Sequence, residues 1–373
     1  MIGIITINDN NNYGNRLQNY AVYTVLSRFD KAINIIRPEG IDKSVYPKNP
    51  IKFCVKAAKH IYRRVCHKQT LKVDIADSPF QNERARNFQA FNENIENGEI
   101  LTKNFDYSLL DKYDYIVTGS DQVWNPKLYP NMYINMLGFA KPLKRVALAP
   151  SIACDDLSKE QKKEFKKYLK HFSFLSCREA QGSRIISELS QKKCITLLDP
   201  TLVLSKEEWD VVAKKPLFHD DSKKYMLLYF LGGMSEEYIK IVEKLKETTG
   251  LEVVNVYDKN SEYYSCGPAE FIYMIANSQL VLTDSFHASV FSYIYDKPFR
   301  IFEREGTGVY MNSRLKNLMS TLKIEDSVYI SNDLKFSDLF KCQYDKKVLY
   351  NEQIRFLKYV ESFLGERYCN QNK

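Results

Sequence analysis

The residues best suited to chemistry are His287 and the polar run just before it, Thr283, Asp284 and Ser285. Leu280, Val281 and Leu282 make a short apolar strand. Thr283 to Ser285 are helix-starting types, and Ala288, Val290, Phe291 and Ile294 recur at helical spacing until Pro298 ends the run. This places His287 in the first turn of a helix, where unpaired backbone N–H groups and a partial positive charge suit a phosphate or carboxylate. The same field lowers a histidine's pKa, yet the ring can still exchange a proton with a bound anion. The alternative is a capping or core histidine.

Three further stretches end strands in polar side chains. The apolar run 113–118 leads into Gly-Ser-Asp-Gln-Val-Trp-Asn-Pro, residues 119–126. There Asp121 is placed to take a proton from a substrate hydroxyl, with Ser120 and Gln122 beside it and Trp124 as a platform for a sugar ring. An Asx turn over a buried tryptophan is the competing reading. Arg178 follows the run 172–177 and can grip a carboxylate or phosphate with two parallel hydrogen bonds, or else form a salt bridge. The loop after the first strand offers Asn8, Tyr13, Asn15, Arg16 and Gln18, suited either to a polyhydroxylated ligand or to a capped polar turn.

Strands alternating with amphipathic helices position these groups. A strand over 3–7, a helix carrying Leu17, Ala21, Val22, Val25, Leu26 and Phe29, and a strand over 32–36 open the chain as a βαβ unit. The opening loop lacks G-x-G-x-x-G, so there is no dinucleotide fingerprint. Ser158 with Gln161 forms a capping box ahead of a helix reaching about Lys170. A strand over 195–198 and Asp199-Pro200-Thr201 close the first half, and alternation resumes at 225–231. The expected fold class is therefore α/β, with two Rossmann-like domains, 1–204 and 205–373, facing across a cleft. A last helix from Lys346 is long enough to reach back over the first domain.

Composition narrows the function. At 373 residues, 44% hydrophobic and 27% charged, the chain is globular and long enough for two cores. It has no apolar run of membrane-spanning length and no secretory pattern at its start. The eight cysteines lack a C-x-x-C pair and read as reduced packing residues of a cytoplasmic protein. None of the five histidines stands at ligand spacing, so no metal is expected. The net charge of +8 favours acidic partners, and no nucleic-acid-binding motif accompanies it. Residues 50–72 combine an apolar stripe with lysines and arginines, and no acidic residue occurs between Ile51 and Val73. Such a segment suits an anionic membrane surface or covers a core as a solvated helix.

Taken together, NNYGNRLQNYA from Asn11, YIVTGSDQVWNP from Tyr115, SCREAQGS from Ser176, DPTLVL from Asp199, GPAEFIYMIANSQLVLTDSFHASVFSYIYDKPF from Gly267 and SRL from Ser313 resemble the polysaccharide pyruvyl transferase family. The resemblance spans residues 1 to about 320 and implies a GT-B-like architecture. It also implies transfer of pyruvate from phosphoenolpyruvate, as co-substrate without a further cofactor, to a sugar of a bacterial surface polysaccharide such as capsule or exopolysaccharide, or to its lipid-diphosphate-linked precursor. The product is a cyclic ketal, and the protein would be cytoplasmic, with the basic segment 50–72 as the one feature that would hold it peripherally at the inner face of the cytoplasmic membrane. The expected catalytic residues are then His287 and Asp121. Arg178, Ser285, His287 and Arg314 would bind the donor, and Asn8, Tyr13, Asn15, Arg16, Ser120, Gln122 and Trp124 the acceptor. Many relatives carry Asp-Arg-Leu-His-Gly where this chain has Asp284-Ser285-Phe286-His287-Ala288, so an arginine is missing that Arg314 or Lys297 would have to replace. The runners-up are a GT-B-type glycosyltransferase using a nucleotide sugar and a non-catalytic saccharide-binding relative.

Overall fold

A computed structural model describes residues 1–37, 78–129, 131–304, 312–324, 339–340 and 344–365. The basic segment 50–72 lies outside the described residues. Two wholly parallel sheets organise the chain. The first has seven strands in the order β3-β2-β1-β4-β5-β6-β7: β1 Ile2–Ile5, β2 Ala32–Ile36, β3 Asn97–Ile100, β4 Tyr115–Thr118, β5 Arg145–Ala147, β6 Phe172–Cys177 and β7 Cys194–Thr196. The second has the order β11-β10-β8-β9: β8 Tyr225–Tyr229, β9 Glu252–Asn255, β10 Leu280–Thr283 and β11 Phe299–Ile301. The expected α/β architecture of two Rossmann-like sheets is what the strand orders describe.

Burial explains which strands were easy to anticipate. β1 and β8 are buried along their whole length, as their continuous apolar runs require of parallel strands covered on both faces. β3, with sequence Asn-Gly-Glu-Ile, is a largely exposed edge strand with no apolar pattern to mark it in the sequence. Helix α1, Tyr13–Ser27, packs Leu17, Ala21, Val22 and Leu26 into the core that both sheets share.

In each sheet the strand order reverses once, between β1 and β4 in the first and between β8 and β10 in the second. Loops leaving such a switch point diverge and open a crevice at the carboxyl ends of the strands. The loops after β1 and β4 carry Asn8 to Asn12 and Asp121, those after β8 and β10 carry Leu231 and Asp284 to His287, and all of them line one cleft.

The halves are also strapped together away from the cleft. Helix α2, Gln81–Asn92, supplies Arg84, which is 1% exposed and donates to Tyr13 Oη, to Tyr264 O at 2.9 Å and to Cys266 O at 3.1 Å. Helix α3 is Lys159–Leu169, α4 Ala180–Ser190, α5 Lys206–Asp210, α6 Glu236–Thr249, α7 Pro268–Asn277, α8 Phe286–Ile294, α9 Asn312–Leu322 and α10 Lys346–Leu364. Although α10 follows the second sheet, it lies on the first: Tyr359 Oη donates to Ala147 O at 2.8 Å, and Phe363 packs on Tyr115 and Phe174. No described helix is long and apolar enough to cross a membrane.

Candidate active site

The cleft encloses about 1150 Å³, and both halves line it. From the second half, α8 points its N-terminus at the opening. Ser285 is the N-cap, its Oγ accepting from Ala288 N at 3.5 Å, and the Thr283 hydroxyl accepts from Ser285 N at 3.0 Å. Asp284 is spent on architecture: its carboxylate accepts from Leu231 N at 2.8 Å and Gly232 N at 2.7 Å, tying the ends of β8 and β10 together, and Arg304 Nε stands 3.0 Å away.

From the first half comes Asp121, just beyond β4. Gly119 before it sits at φ +129°, and a Cβ there would lie 2.1 Å from Leu148 O, so only glycine fits. Asp121 itself has φ +58°, rare for a residue with a side chain. Its carboxylate accepts from Asn15 Nδ2 and, at 3.1 Å, from Arg314 Nη2, with Arg178 Nη2 3.6 Å away. Burial alone would raise its pKa, but Arg314 and Arg178 outweigh it and hold Asp121 below the usual carboxylate range.

Beneath this pair lies a second carboxylate. Asp199 Oδ1 accepts from Thr201 N at 3.0 Å and Thr201 Oγ1 at 2.7 Å; Oδ2 takes Arg178 Nη1 and stands 3.8 Å from His287 Nε2. Although burial would raise its pKa, Arg178 and His287 hold Asp199 below its ordinary value. His287 is pushed the other way: desolvation dominates and lowers its pKa despite Asp199 and Asp121, so the buried ring is neutral at pH 7. Its Nε2 is buried without a hydrogen-bond partner. Its other edge abuts α1, where a Cβ on Gly14 would lie 2.0 Å from His287 Nδ1.

The expected site residues are therefore distributed unevenly. His287, Ser285, Arg314, Asp121, Asn8, Asn15, Arg16 and Gln122 line the cleft. Arg178 does not. It is buried behind Phe286, its Cζ 4.6 Å from that ring's centroid, and it holds Asp199. Three expectations for the acceptor need correction. Trp124 is fully buried, donates Nε1–H to Asn135 O at 3.0 Å and packs edge-on against Phe165 and Phe172, so it offers no platform. Tyr13 is equally buried, stacked on Phe88 and Phe271, and donates to Cys266 O at 2.8 Å. Ser120 is buried and donates to Ala149 O at 2.8 Å. Lys297 lies beyond the far end of α8 and is not among the lining residues.

Asp199, Phe286, Arg304, Arg37 and Gly14 also belong to the site or its support, without a functional signal of their own in the sequence. Asp199 stood in a noted motif but resembled a strand exit; only the approach of the second sheet brings it to His287. Arg37 and Arg304 follow strands with no motif around them. Arg314 and Arg16 have their pKa values lowered by burial, each to about 10, and so remain cationic at neutral pH.

The family model for polysaccharide pyruvyl transferase matches residues 12–306, a range that holds the first motif from its second residue on and all the later ones except the Ser313 segment. The chain belongs to this family. No curated protein matches it. Among solved structures it is similar to an uncharacterised Klebsiella pneumoniae protein, with 14% identity over 77% of this chain and 100% of that one at a TM-score of 0.39. It is also similar to a putative UDP-N-acetylglucosamine 2-epimerase from Listeria monocytogenes, with 8% identity over 98% and 92% at a TM-score of 0.49. A third is the E. coli heptosyltransferase WaaC, with 12% identity over 87% and 99% at a TM-score of 0.35. For this chain, as a member of the pyruvyl transferase family, the cleft between the switch points is the candidate active site.

Proposed function

We propose that the protein transfers the pyruvate group of phosphoenolpyruvate to two hydroxyls of a saccharide, forming a cyclic ketal and releasing phosphate. The observation that carries this reading is the juxtaposition of His287, at the N-terminus of α8, with the Asp121–Arg314 pair in a cleft also lined by Arg16, Arg37 and Arg304.

The chemistry asks for four things. The methylene carbon of the enol must gain a proton, which leaves an oxocarbenium-like centre. One sugar hydroxyl then attacks that centre and loses its proton. The bond to the phosphate oxygen breaks, with phosphate taking the electron pair. The second hydroxyl closes the ring, and its proton leaves with the phosphate. Arg314 and Arg304 supply cationic hydrogen-bond donors for a carboxylate and a phosphate, and the N–H groups of α8 add partial charge. A bound dianion raises the pKa of the neighbouring His287, which can then donate its proton.

Asp121 has another part than the base it resembles in isolation. A carboxylate held ionised by two arginines is a weak proton acceptor, so its part is to aim Arg314 across the cleft. Arg178 aligns Asp199 from behind. Asn8, Asn15, Arg16 and Gln122 present amide and guanidinium groups to the acceptor's hydroxyls. The acceptor, on this reading, belongs to a surface polysaccharide or its lipid-linked precursor.

The test is product formation. Purified protein is incubated with phosphoenolpyruvate and a panel of surface-polysaccharide fragments, and phosphate release is followed together with the mass of the saccharide. Acceptor-dependent phosphate release with the matching ketal mass supports the reading. Transfer of a sugar from a nucleotide sugar, with phosphoenolpyruvate inert, overturns it.

A further inference from the structure

Proton transfer by histidine requires that one ring nitrogen face the substrate and that the other be held in a defined protonation state. In the neutral ring one nitrogen carries hydrogen and the other a lone pair, and the neighbours decide which. Around His287 those neighbours differ on the two edges. The Nε2 edge points inward, to Asp199 Oδ2 at 3.8 Å. The Nδ1 edge faces α1 at Gly14, next to the cleft-lining Asn12 and Asn15.

We propose that Asp199 and His287 form a positioning dyad assembled across the two sheets, with the Nε2–H held toward Asp199 so that Nδ1 is the nitrogen that exchanges protons. Its bearing on catalysis rests on the pyruvyl-transfer reading above, although the tautomer itself does not.

Three features carry the assignment. A lone pair on Nε2 would face a carboxylate oxygen that is ionised and buried, whereas an N–H there meets an acceptor. The carboxylate is also fixed: Thr201 holds Oδ1 through its amide and its hydroxyl, and Arg178 holds Oδ2, so Asp199 cannot turn away. At 3.8 Å the contact is longer than a hydrogen bond. Shortening by about 0.8 Å would make it one, and catalytic hydrogen bonds often tighten only around substrate.

The third feature is the close seat of the Nδ1 edge on α1. It is possible because residue 14 has no side chain: a Cβ would stand 2.0 Å from Nδ1 and 2.6 Å from Cε1. Glycine at the second position of a helix is a poor choice for helix stability, and its close approach to the histidine accounts for it. Asp199 and Gly14 come from the first sheet's half and His287 from the second, so the dyad exists only when the halves are together.

Other charged groups also face the ring. Asp121 favours its cation, and Arg178 and Arg314 oppose it. Arg178 Nη2, a buried donor without a hydrogen-bond partner, offers the rival arrangement in which Nε2 accepts and Nδ1 carries the proton.

The two arrangements are distinguished by nitrogen NMR of the full-length protein labelled at its histidines, at about pH 8 where the ring is neutral. The chain has five histidines, and His287→Gln assigns the signal. The dyad predicts a protonated Nε2 and an unprotonated Nδ1 for His287 in the wild-type protein. The opposite tautomer overturns it. In Asp199→Asn the dyad further predicts loss of that tautomer preference, with His287 titrating at lower pH than in wild type; an unchanged tautomer and titration would contradict it. Since no substrate is involved, failure of the dyad and failure of pyruvyl transfer are separate results.

Discussion

Arg314 and Asp121 meet across the cleft, with 3.1 Å between Nη2 and Oδ1, so the second half completes a charge set that the first half begins. Both side chains are about 5% exposed. Removing one partner of a buried ion pair leaves an uncompensated charge, at a cost of about 3–5 kcal/mol. Asp121→Asn is expected to destabilise within that range in urea unfolding. Arg314→Met added to Asp121→Asn should cost less than the sum of the two single changes, since the pair is already broken. Strict additivity would mean that the two residues do not interact in solution.

At Gly14 two effects oppose each other. Alanine in a helix is favoured over glycine by about 1 kcal/mol, so local propensity predicts stabilisation. Against this, a Cβ at 2.0 Å from His287 Nδ1 is an overlap with a buried ring. Overpacking costs typically ~1–3 kcal/mol, so the clash should win and Gly14→Ala should melt lower than wild type and lose activity. A variant that melts higher and keeps full activity would show that His287 does not lie against α1.

Acid should destabilise the protein in two stages. Because the folded-state pKa of His287 lies below its ordinary 6.5, the unfolded chain binds that proton more readily. Its contribution to stability is complete above about 6.5 and is lost as pH falls through the folded-state value. Asp121 and Asp199 have folded values below 3.8, so what they contribute persists above that pH and is lost further down. Urea midpoints at about pH 7.5 and 5.5 test the first stage. Wild type should lose more stability between them than His287→Gln; equal losses would place the neutral-ring effect elsewhere.

Substitution of His287, the proton carrier of the proposed reaction, should separate chemistry from binding. His287→Gln is expected to lower kcat by about 10²–10⁴, the usual range for a positioned acid or base. Arg314→Met should act on the donor's KM, by about 10–100-fold for a lost hydrogen bond to a charged group. If His287→Gln changes only KM, the proton-transfer role is wrong.

Trp124 tests the revised acceptor wall. Truncating a fully buried tryptophan costs about 3–5 kcal/mol, so Trp124→Ala should unfold readily. Trp124→Phe keeps most of the packing and should leave the acceptor's KM within about twofold of wild type. A large rise in that KM would return Trp124 to the site.

Much of the architecture was legible because its signals are local. The Ser158–Gln161 capping box and the helix it opens are present, and α8 begins after Ser285 as the residue types require. The turns at Asp121 and His287 reach the cleft because carboxyl ends of parallel strands converge there. What could not be read is what the second sheet does to the first. Trp124 and Tyr13 look like ligand aromatics beside polar neighbours, yet packing claims both, and nothing in a single stretch says which side of a turn faces the core. Arg178 at its strand end suits either an anion clamp or a salt bridge, and Asp199, 21 residues on, makes it the salt bridge. The pairing of Asp199 with His287 joins residues from opposite halves, a relation that only tertiary structure creates.

The most direct test of the account is a thermal-shift titration of the full chain with phosphoenolpyruvate, with UDP and inorganic phosphate as controls, in wild type and in Arg314→Met. A ligand that binds only the folded state raises Tm as its concentration rises. The expected result is a rise with phosphoenolpyruvate that exceeds the rise with phosphate and is lost in Arg314→Met. A rise with UDP and none with phosphoenolpyruvate would contradict it and point to nucleotide-sugar chemistry in the same cleft.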